Sequence, residues 1–495
     1  MIGANLKFKR GKIGTMSKTM LFSADALARM QDRVELLLEK RGVTVDHEAL
    51  CQALAQKGCR VQGKQVYFPR DVLRNAVEAA PKAFTLYSQD GTHDLPFPCP
   101  DGGFYVRSNT GAPGWRTADG DVHAVRPAEA AEWFELINAL PNIDFCALPS
   151  VSGDEVPPAA VDLYTFEQAL LHSRKHIWVQ PYEAKNVHGL IDMAAAAAGG
   201  LDALREKPFV SFISCSVPLL SFKHMDAEII YCCAKAGLPV QPCSLPTAGA
   251  NTPITAQGTA LVCCAEVLAQ IAMLELLCPG LPVIATPLPF SMDMMTTYTL
   301  QSAPETTLCR VLCMQLFEEI YGIPAHTYAT GTDSLTLDGQ NYIERTSLAH
   351  MIALSGASVL GGAGQIETAK TNCPLTLITD DEIFGLVRRF RQGLEISDEA
   401  MDLDELLGDP EETADGFIMT EHTLRHYKEI TRPALFSRVG VPVWKEAGCP
   451  TLESRVLEKY RALRAAPDSM DLAPERREAV HAALVRAVAD VAEGE

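Results

Sequence analysis

The sequence predicts a (β/α)8 TIM barrel with an N-terminal helical and β-rich extension and a C-terminal helical extension. Three observations carry that expectation. Short apolar runs recur through the middle of the chain, and five of them end in proline: "IDFCALP", "HIWVQP", "FVSFISCSVP", "PVQPCSLP" and "PVIATPLP". Each run is followed by a segment long enough for a helix and its loops. Seven or eight such units fall in about 240 residues, the size of a closed barrel. An open doubly wound sheet would carry a glycine-rich phosphate turn after an early strand, and the chain has none there.

Residues 23–80 read as helices. "SADALARMQDRVELLLEKRG" opens with Ser23 as N-cap, keeps apolar residues at helical spacing and ends at Gly42. "PRDVLRNAVEAAP" is a second helix between prolines, and a β-like, turn-rich section runs on to about Asp121. Beyond the five proline-ended runs, "PAHTYATG", "GASVLGG" and "PLTLIT" are the remaining strand candidates. The intervening segments, such as "AAVDLYTFEQALLHS" and "HMDAEIIYCCAKAG", are helical in pattern. The expected division is 1–140 for the N-terminal extension, 141–395 for the barrel and 396–495 for an acidic linker and C-terminal helices.

Bulk properties narrow the function. The 495-residue chain is 47% hydrophobic, enough for a large core, and its net charge of −19 argues against a nucleic-acid partner. The basic N-terminus "MIGANLKFKRGKIGTMSKTMLF" lacks an apolar signal-peptide region, and no run of about 20 apolar residues is free of charge, so no membrane partner is expected. Fifteen scattered cysteines with small apolar neighbours read as buried free thiols in a reducing, cytoplasmic compartment. No ligand spacing argues for zinc, and no metal site is assigned. The many apolar helices point to a homo-oligomer.

A proline just past a barrel strand turns the chain into a βα loop, and those loops form the face where barrel enzymes act. The uncharged loop "LPTAGANTPIT" (245–255) is one of them. Pro246 ends a strand, Gly249 permits close approach of backbone, and Thr252 with Pro253 reads as N-cap and first helical residue. A helix N-terminus at the mouth suits an anion, whereas a pocket-shaping loop is the plainer alternative.

Several ordered motifs resemble the trimethylamine methyltransferase family: "PTAGANTPITAQGTALVCCAEVLAQIAMLELLCPGLPV", "SAPETTLCRVLCMQLFEEIYGIP", "GTDSLTLDGQNYIE" and "EHTLRHYKEITRPALFSR". The resemblance covers roughly residues 100–465. It implies a TIM barrel that moves a methyl group from an amine to the cobalt of a separate corrinoid protein. In the archaeal trimethylamine enzymes the "GTDSLTLDGQ" turn carries pyrrolysine, and Leu335 stands at that position here. The chain therefore resembles the non-pyrrolysine branch, whose known members demethylate quaternary amines such as glycine betaine, proline betaine and carnitine-like compounds. A tertiary-amine methyltransferase is the nearest variant; a metal-dependent barrel hydrolase or lyase and a non-catalytic amine binder are the more distant ones.

A quaternary ammonium needs no activating electrophile, so the enzyme's work is positioning. Aromatic faces hold such a cation; the candidates are Phe290, Tyr298, Tyr328 and Tyr342, with Tyr182 and Trp115. Asp333, Glu305, Asp338 and Glu344 would add attraction, although Glu305 and Asp338 also suit helix caps. A betaine carboxylate needs donors, for which Asn251, Thr252, Gln365, His350, His422 and Arg345 are candidates. His350 also reads as a core histidine, and His422 with Thr423 as a cap. The resulting assignment is Asp333, His350 and Glu305 as catalytic, with Leu335 among the substrate-binding residues. The D-x-H-x-x-G signature of corrinoid-carrying domains is absent, so no tightly bound cofactor is expected: cob(I)alamin, the methyl acceptor, arrives on a partner protein. The acidic stretch after Glu395 is a docking surface or a solvated linker.

Overall fold

The computed structural model describes residues 18–408 and 416–493. The basic N-terminal stretch to residue 17 and part of the acidic segment, 409–415, lie outside the described residues. Eight parallel strands follow one another in chain order: β1 Tyr105–Ser108, β2 Phe145–Ala147, β3 His176–Val179, β4 Val210–Ser216, β5 Val240–Ser244, β6 Thr286–Pro287, β7 His326–Tyr328 and β8 Val359–Ala363. β8 pairs with β1, Val359 opposite Tyr105. The ring closes between β6 and β7, where Ala285 N–H donates to Pro324 O at 2.9 Å and His326 N–H to Ala285 O at 2.8 Å.

Eight helices follow the strands: α1 Pro127–Ala139, α2 Val161–His172, α3 Asn186–Ala198, α4 His224–Ala236, α5 Ala256–Leu277, α6 Pro304–Gln315, α7 Gly339–Leu354 and α8 Pro374–Gln392. The barrel fold is as expected, with two corrections. Its first strand is Tyr105–Ser108, inside the segment read as extension, so the barrel starts before residue 141. "PLTLIT" is the first turn and a half of α8, with Pro374 at the start, where a missing N–H costs nothing.

Alternation along the strands divides the core. Tyr105, Phe145, Trp178, Ile213, Cys243, Tyr328 and Val359 fill the barrel interior. Val106, Cys146, Ile177, Phe212 and Leu360 face the helices. The hairpin Phe84–Leu86/Leu95–Phe97 packs on the interior residues at the strands' starting ends.

The long apolar helix α5 is explained by its cover. Helices Ala24–Lys40, capped by Ser23 as expected, and Arg70–Ala79 pack on it from the N-terminal extension, and 83% of its most apolar window is buried. It is the one helix among the described residues long and apolar enough to cross a membrane, and it lies inside the fold. At the other end of the chain, helix Pro474–Glu493 lies on α3. The approach is so close that a Cβ on Gly189 would sit 2.5 Å from Ala487 Cβ.

The βα loops fold into small sheets over the mouth. Thr247–Ala248 pairs with Phe290–Ser291 after β5 and β6; Thr371–Asn372 pairs with Gly114–Trp115 after β8 and β1. All fifteen cysteines are free, and eleven of them are buried.

Candidate active site

Two arginines dominate the barrel mouth. Arg107 is the third residue of β1, so period-two alternation from Tyr105 turns it inward. Its guanidinium stacks 3.7 Å over the Trp178 ring. Nε donates to His326 Nε2 at 3.2 Å, and Nη1 to Ser108 O at 2.7 Å. Arg310 comes from α6; its Nε donates to Pro289 O at 3.2 Å and its Nη1 to Gln301 O at 3.0 Å. The Tyr328 ring is shared by the two, 5.9 Å from Arg107 and 5.7 Å from Arg310. Phe290 completes the group, 6.0 Å from Tyr328.

Neither guanidinium is neutralised. Both arginines are fully buried, and among the described residues neither forms an ion pair. Each leaves one nitrogen, Nη2, without a hydrogen-bond partner in the protein. Burial pulls both pKa values down to about 10. They remain charged at neutral pH, since a guanidinium does not deprotonate there.

The same mouth holds further idle donors and acceptors. The side-chain amides of Gln301 and Gln365 are buried with neither end paired. Gln365 presses against Gly362, where a Cβ would lie 2.1 Å from Gln365 Nε2 and 2.8 Å from the Tyr328 ring; φ there is +95°, so only glycine fits. Because His326 Nε2 accepts from Arg107, its ring is neutral with the hydrogen on Nδ1, in line with burial and Arg107 pushing its pKa well down. A buried polar group without a partner costs about 1–3 kcal/mol. Several lie in one place here, beside two guanidiniums that form no ion pair among the described residues.

Of the residues singled out in the sequence, Phe290, Tyr328 and Gln365 meet here. Asp333 is also at the mouth, but as a clamp. Its carboxylate accepts from Gln301 N–H (2.8 Å), Ser302 N–H (3.1 Å), Ser302 Oγ (2.5 Å) and Thr368 Oγ1 (3.0 Å), tying the loops after β6, β7 and β8. Glu344 holds the same turn through Thr332 Oγ1 and Asp333 N–H. Asp338 caps α7 by accepting from Asn341 N–H at 3.1 Å.

Other assigned residues stand elsewhere. His350 packs its ring against Phe390 of α8, at 4.9 Å, in the outer helical layer. Glu305 is exposed in the first turn of α6, a favourable place for a carboxylate on the helix dipole. His422 pairs within the C-terminal extension, 3.7 Å from Asp402 and ring to ring with His426. Tyr342 is half-buried, with its hydroxyl unpaired near Glu453 and Arg345, and burial pushes its pKa up to about 12. Tyr298 and Leu335 are exposed on the loops after β6 and β7. Arg345 is committed to a buried ion pair with Asp380 at 2.6 Å.

The loop 245–255 also departs from expectation. The N-cap of α5 is Thr255, not Thr252: its side chain accepts from Gly258 N–H, and the helix begins at Ala256. Asn251 accepts from Thr247 N–H at 2.8 Å, and Thr252 donates to Thr247 O at 3.2 Å, so both fasten the loop to itself. Gly249 is favoured because φ there is +86°, a left-handed conformation that side-chain-bearing residues rarely adopt.

Sequence reasoning missed Arg107, Arg310, Trp178, Gln301 and His326. A usable signal existed for the arginines: each is the lone charge in an apolar run, "FYVRS" and "LCRVLCM".

Fold and mouth define a (β/α)8 barrel with a buried, positively charged cluster at the carboxyl ends of its strands, the end where barrel enzymes act. The family description "Trimethylamine methyltransferase (MTTB)" fits residues 5–492, and the chain belongs to that family. A trimethylamine methyltransferase, MttB, of Desulfitobacterium hafniense (strain DSM 10664 / DCB-2) is 26% identical over 445 residues, 88% of each chain. A glycine betaine methyltransferase of Desulfitobacterium hafniense (strain Y51) is 26% identical over 437 residues, 87% of this chain and 89% of that one. Among solved structures, the monomethylamine methyltransferase of Methanosarcina barkeri superposes with a TM-score of 0.47 at 14% identity, over 96% of this chain and 89% of that one.

Proposed function

We propose that this methyltransferase takes a methyl group from a quaternary amine that also bears a carboxylate, of the glycine betaine, proline betaine or carnitine class, and delivers it to the cobalt(I) of a corrinoid on a separate protein. The observation that carries the substrate choice is the pair of unneutralised guanidiniums, Arg107 and Arg310. A unit charge about 6 Å from a guanidinium interacts by roughly 3 kcal/mol at an effective dielectric of about 20. Two of them oppose a bare trimethylammonium group and favour a carboxylate by the same amount. A zwitterion satisfies both ends: its carboxylate takes the free Nη2 groups and an amide of Gln301 or Gln365, while its ammonium points outward, past Tyr328 and Phe290.

The aromatic rings then act differently from a cage. Their faces stack on guanidiniums and hold those cations in place. In the reaction the N–CH3 bond breaks, nitrogen keeps the electron pair as a neutral tertiary amine, and the corrinoid supplies the nucleophile. The chain binds, orients and excludes water; no proton moves. Leucine at position 335 fits a reaction that needs no electrophilic residue.

The corrinoid protein would dock over the mouth, whose loops after β4–β7 expose Leu219, Ile254, Met294, Met295 and Leu335. A second exposed apolar set, Leu394, Leu407, Ile418, Met419 and Ile430, follows the barrel and supports self-association.

The test is turnover. Reduced cobalamin is incubated with the enzyme and a panel of methylated amines, and methyl-cob(III)alamin absorbance is followed. Formation from one or more betaines supports the proposal. Formation from trimethylamine alone favours the tertiary-amine reading, and no turnover even with candidate corrinoid proteins removes it.

A further inference from the structure

A second cluster of reactive side chains lies on the outer helices, separate from the mouth. On α4, His224, Glu228 and Cys232 recur every four residues and so share one face. His188 reaches the same point from α3: its Nε2 lies 3.5 Å from Cys232 Sγ and 3.6 Å from Glu228 Oε1. Cys232 Sγ is 2.9 Å from that same oxygen. One nitrogen, one oxygen and one sulfur thus lie within 4.8 Å of one another. Tetrahedral zinc, with bonds of about 2.0 Å to N and O and about 2.3 Å to S, sets its ligand atoms about 3.3–3.5 Å apart.

The surroundings orient these ligands. His47, from the N-terminal extension, caps the helix Glu48–Gln56 by accepting Leu50 N–H on Nδ1 at 3.0 Å. Its Nε2 therefore carries the hydrogen and donates to Glu228 Oε2 at 2.7 Å. That bond fixes the carboxylate with Oε1 turned toward Cys232 and His188, the second-layer arrangement found around metal ligands. His47 itself packs between the rings of His224, 5.4 Å away, and Tyr231, 4.8 Å away. Cys232 is buried, whereas His188 is exposed, which leaves one side open for metal entry.

We propose that His188, Glu228 and Cys232 form a binding site for a divalent zinc-like ion, with water in the fourth position. The mixed N, O and S donor set suits Zn(II) and disfavours Mg(II) and Ca(II). On binding, the Cys232 thiol gives its proton to solvent. The thiolate and the Glu228 carboxylate then balance the ion's two charges. Because the thiol must lose its proton to become a ligand, the ion competes with a proton and binds more tightly as pH rises. The ion would join α3 to α4 and, through His47, to the N-terminal extension.

Cobalt(II) titration of the metal-stripped full-length protein tests this. Wild type is expected to take up one equivalent with a thiolate-to-cobalt charge-transfer band that zinc abolishes. Cys232→Ala should lose the band, and the surface variant His188→Ala should bind at least about 10-fold more weakly, since even an outer partner of a ligand is worth that much. Cys449→Ala, which removes an exposed thiol outside the cluster, should behave as wild type. An undiminished band in Cys232→Ala, unchanged affinity in His188→Ala, or no saturable uptake by wild type overturns the proposal. Far-ultraviolet circular dichroism establishes that each variant is folded; should Cys232→Ala fail there, His188→Ala decides.

Discussion

Arg107 lies 3.7 Å over the indole of Trp178 while its Nε donates to His326 at 3.2 Å and its Nη1 to Ser108 O at 2.7 Å, so the guanidinium is held on its face and along its edge. Only Nη2 is left without a hydrogen-bond partner. On the proposed reading that arrangement is preorganised for an anion, because the binding group is fixed before the ligand arrives.

Removing a guanidinium should therefore separate binding from folding. Arg310→Leu is expected to raise KM for a betaine by about 10–100-fold, the loss of one charge-assisted contact of roughly 1.5–3 kcal/mol. The variant should unfold at the same or higher denaturant, since an uncompensated buried charge is gone. Steady-state kinetics with urea unfolding checks both.

Asp333 provides a test between clamp and base. Asp333→Asn keeps an acceptor oxygen toward Gln301 and Ser302 but loses the charge. As a clamp it should lower kcat/KM modestly and leave the shape of the pH–rate profile unchanged. Loss of an ionisation from that profile would restore Asp333 as an acid–base residue.

Arg345 and Asp380 form a fully buried ion pair in which Asp380 also accepts Gly364 N–H at 2.7 Å. Asp380→Ala would leave an unpaired buried cation, at a cost of about 3–5 kcal/mol in urea unfolding. Because Arg345 also donates to Gln365 O, the same variant should disturb the Gln365 end of the mouth.

Glu275, near the end of α5, has its pKa raised to about 7 by burial. The folded protein then holds a proton that the unfolded chain has released between about pH 4.5 and 7. Its contribution to stability is complete below that window and lost as pH rises through it. Glu275→Gln keeps an acceptor for Gly280 N–H and should match wild type at about pH 4, below that window, while exceeding it at about pH 8 in urea midpoint.

Much of the barrel was legible because its strands are buried on both faces and read as short apolar runs ended by proline. β1 escaped because "YVRS" has a charge at its centre, and an inward arginine makes a strand look like a surface turn. The site was half legible for a related reason. Aromatic and carboxylate residues near strand ends draw attention, and Phe290, Tyr328 and Asp333 did reach the mouth. His350 and Glu305 did not, because helix periodicity alone does not say which helix face meets the barrel. The boundary of α5 slipped by three residues because Thr252-Pro253 and Thr255 are both good helix starts, and the loop's internal bonds to Thr247 decide between them.

On the proposed function, the two unneutralised guanidiniums select a carboxylate-bearing amine. Calorimetric titration with glycine betaine and with choline, which replaces the carboxylate by a hydroxymethyl group, tests it most directly. Glycine betaine is expected to bind at least about tenfold more tightly, roughly 1.4 kcal/mol or more, and to lose that advantage in Arg310→Leu. Equal or tighter binding of choline by the wild-type protein would contradict the account.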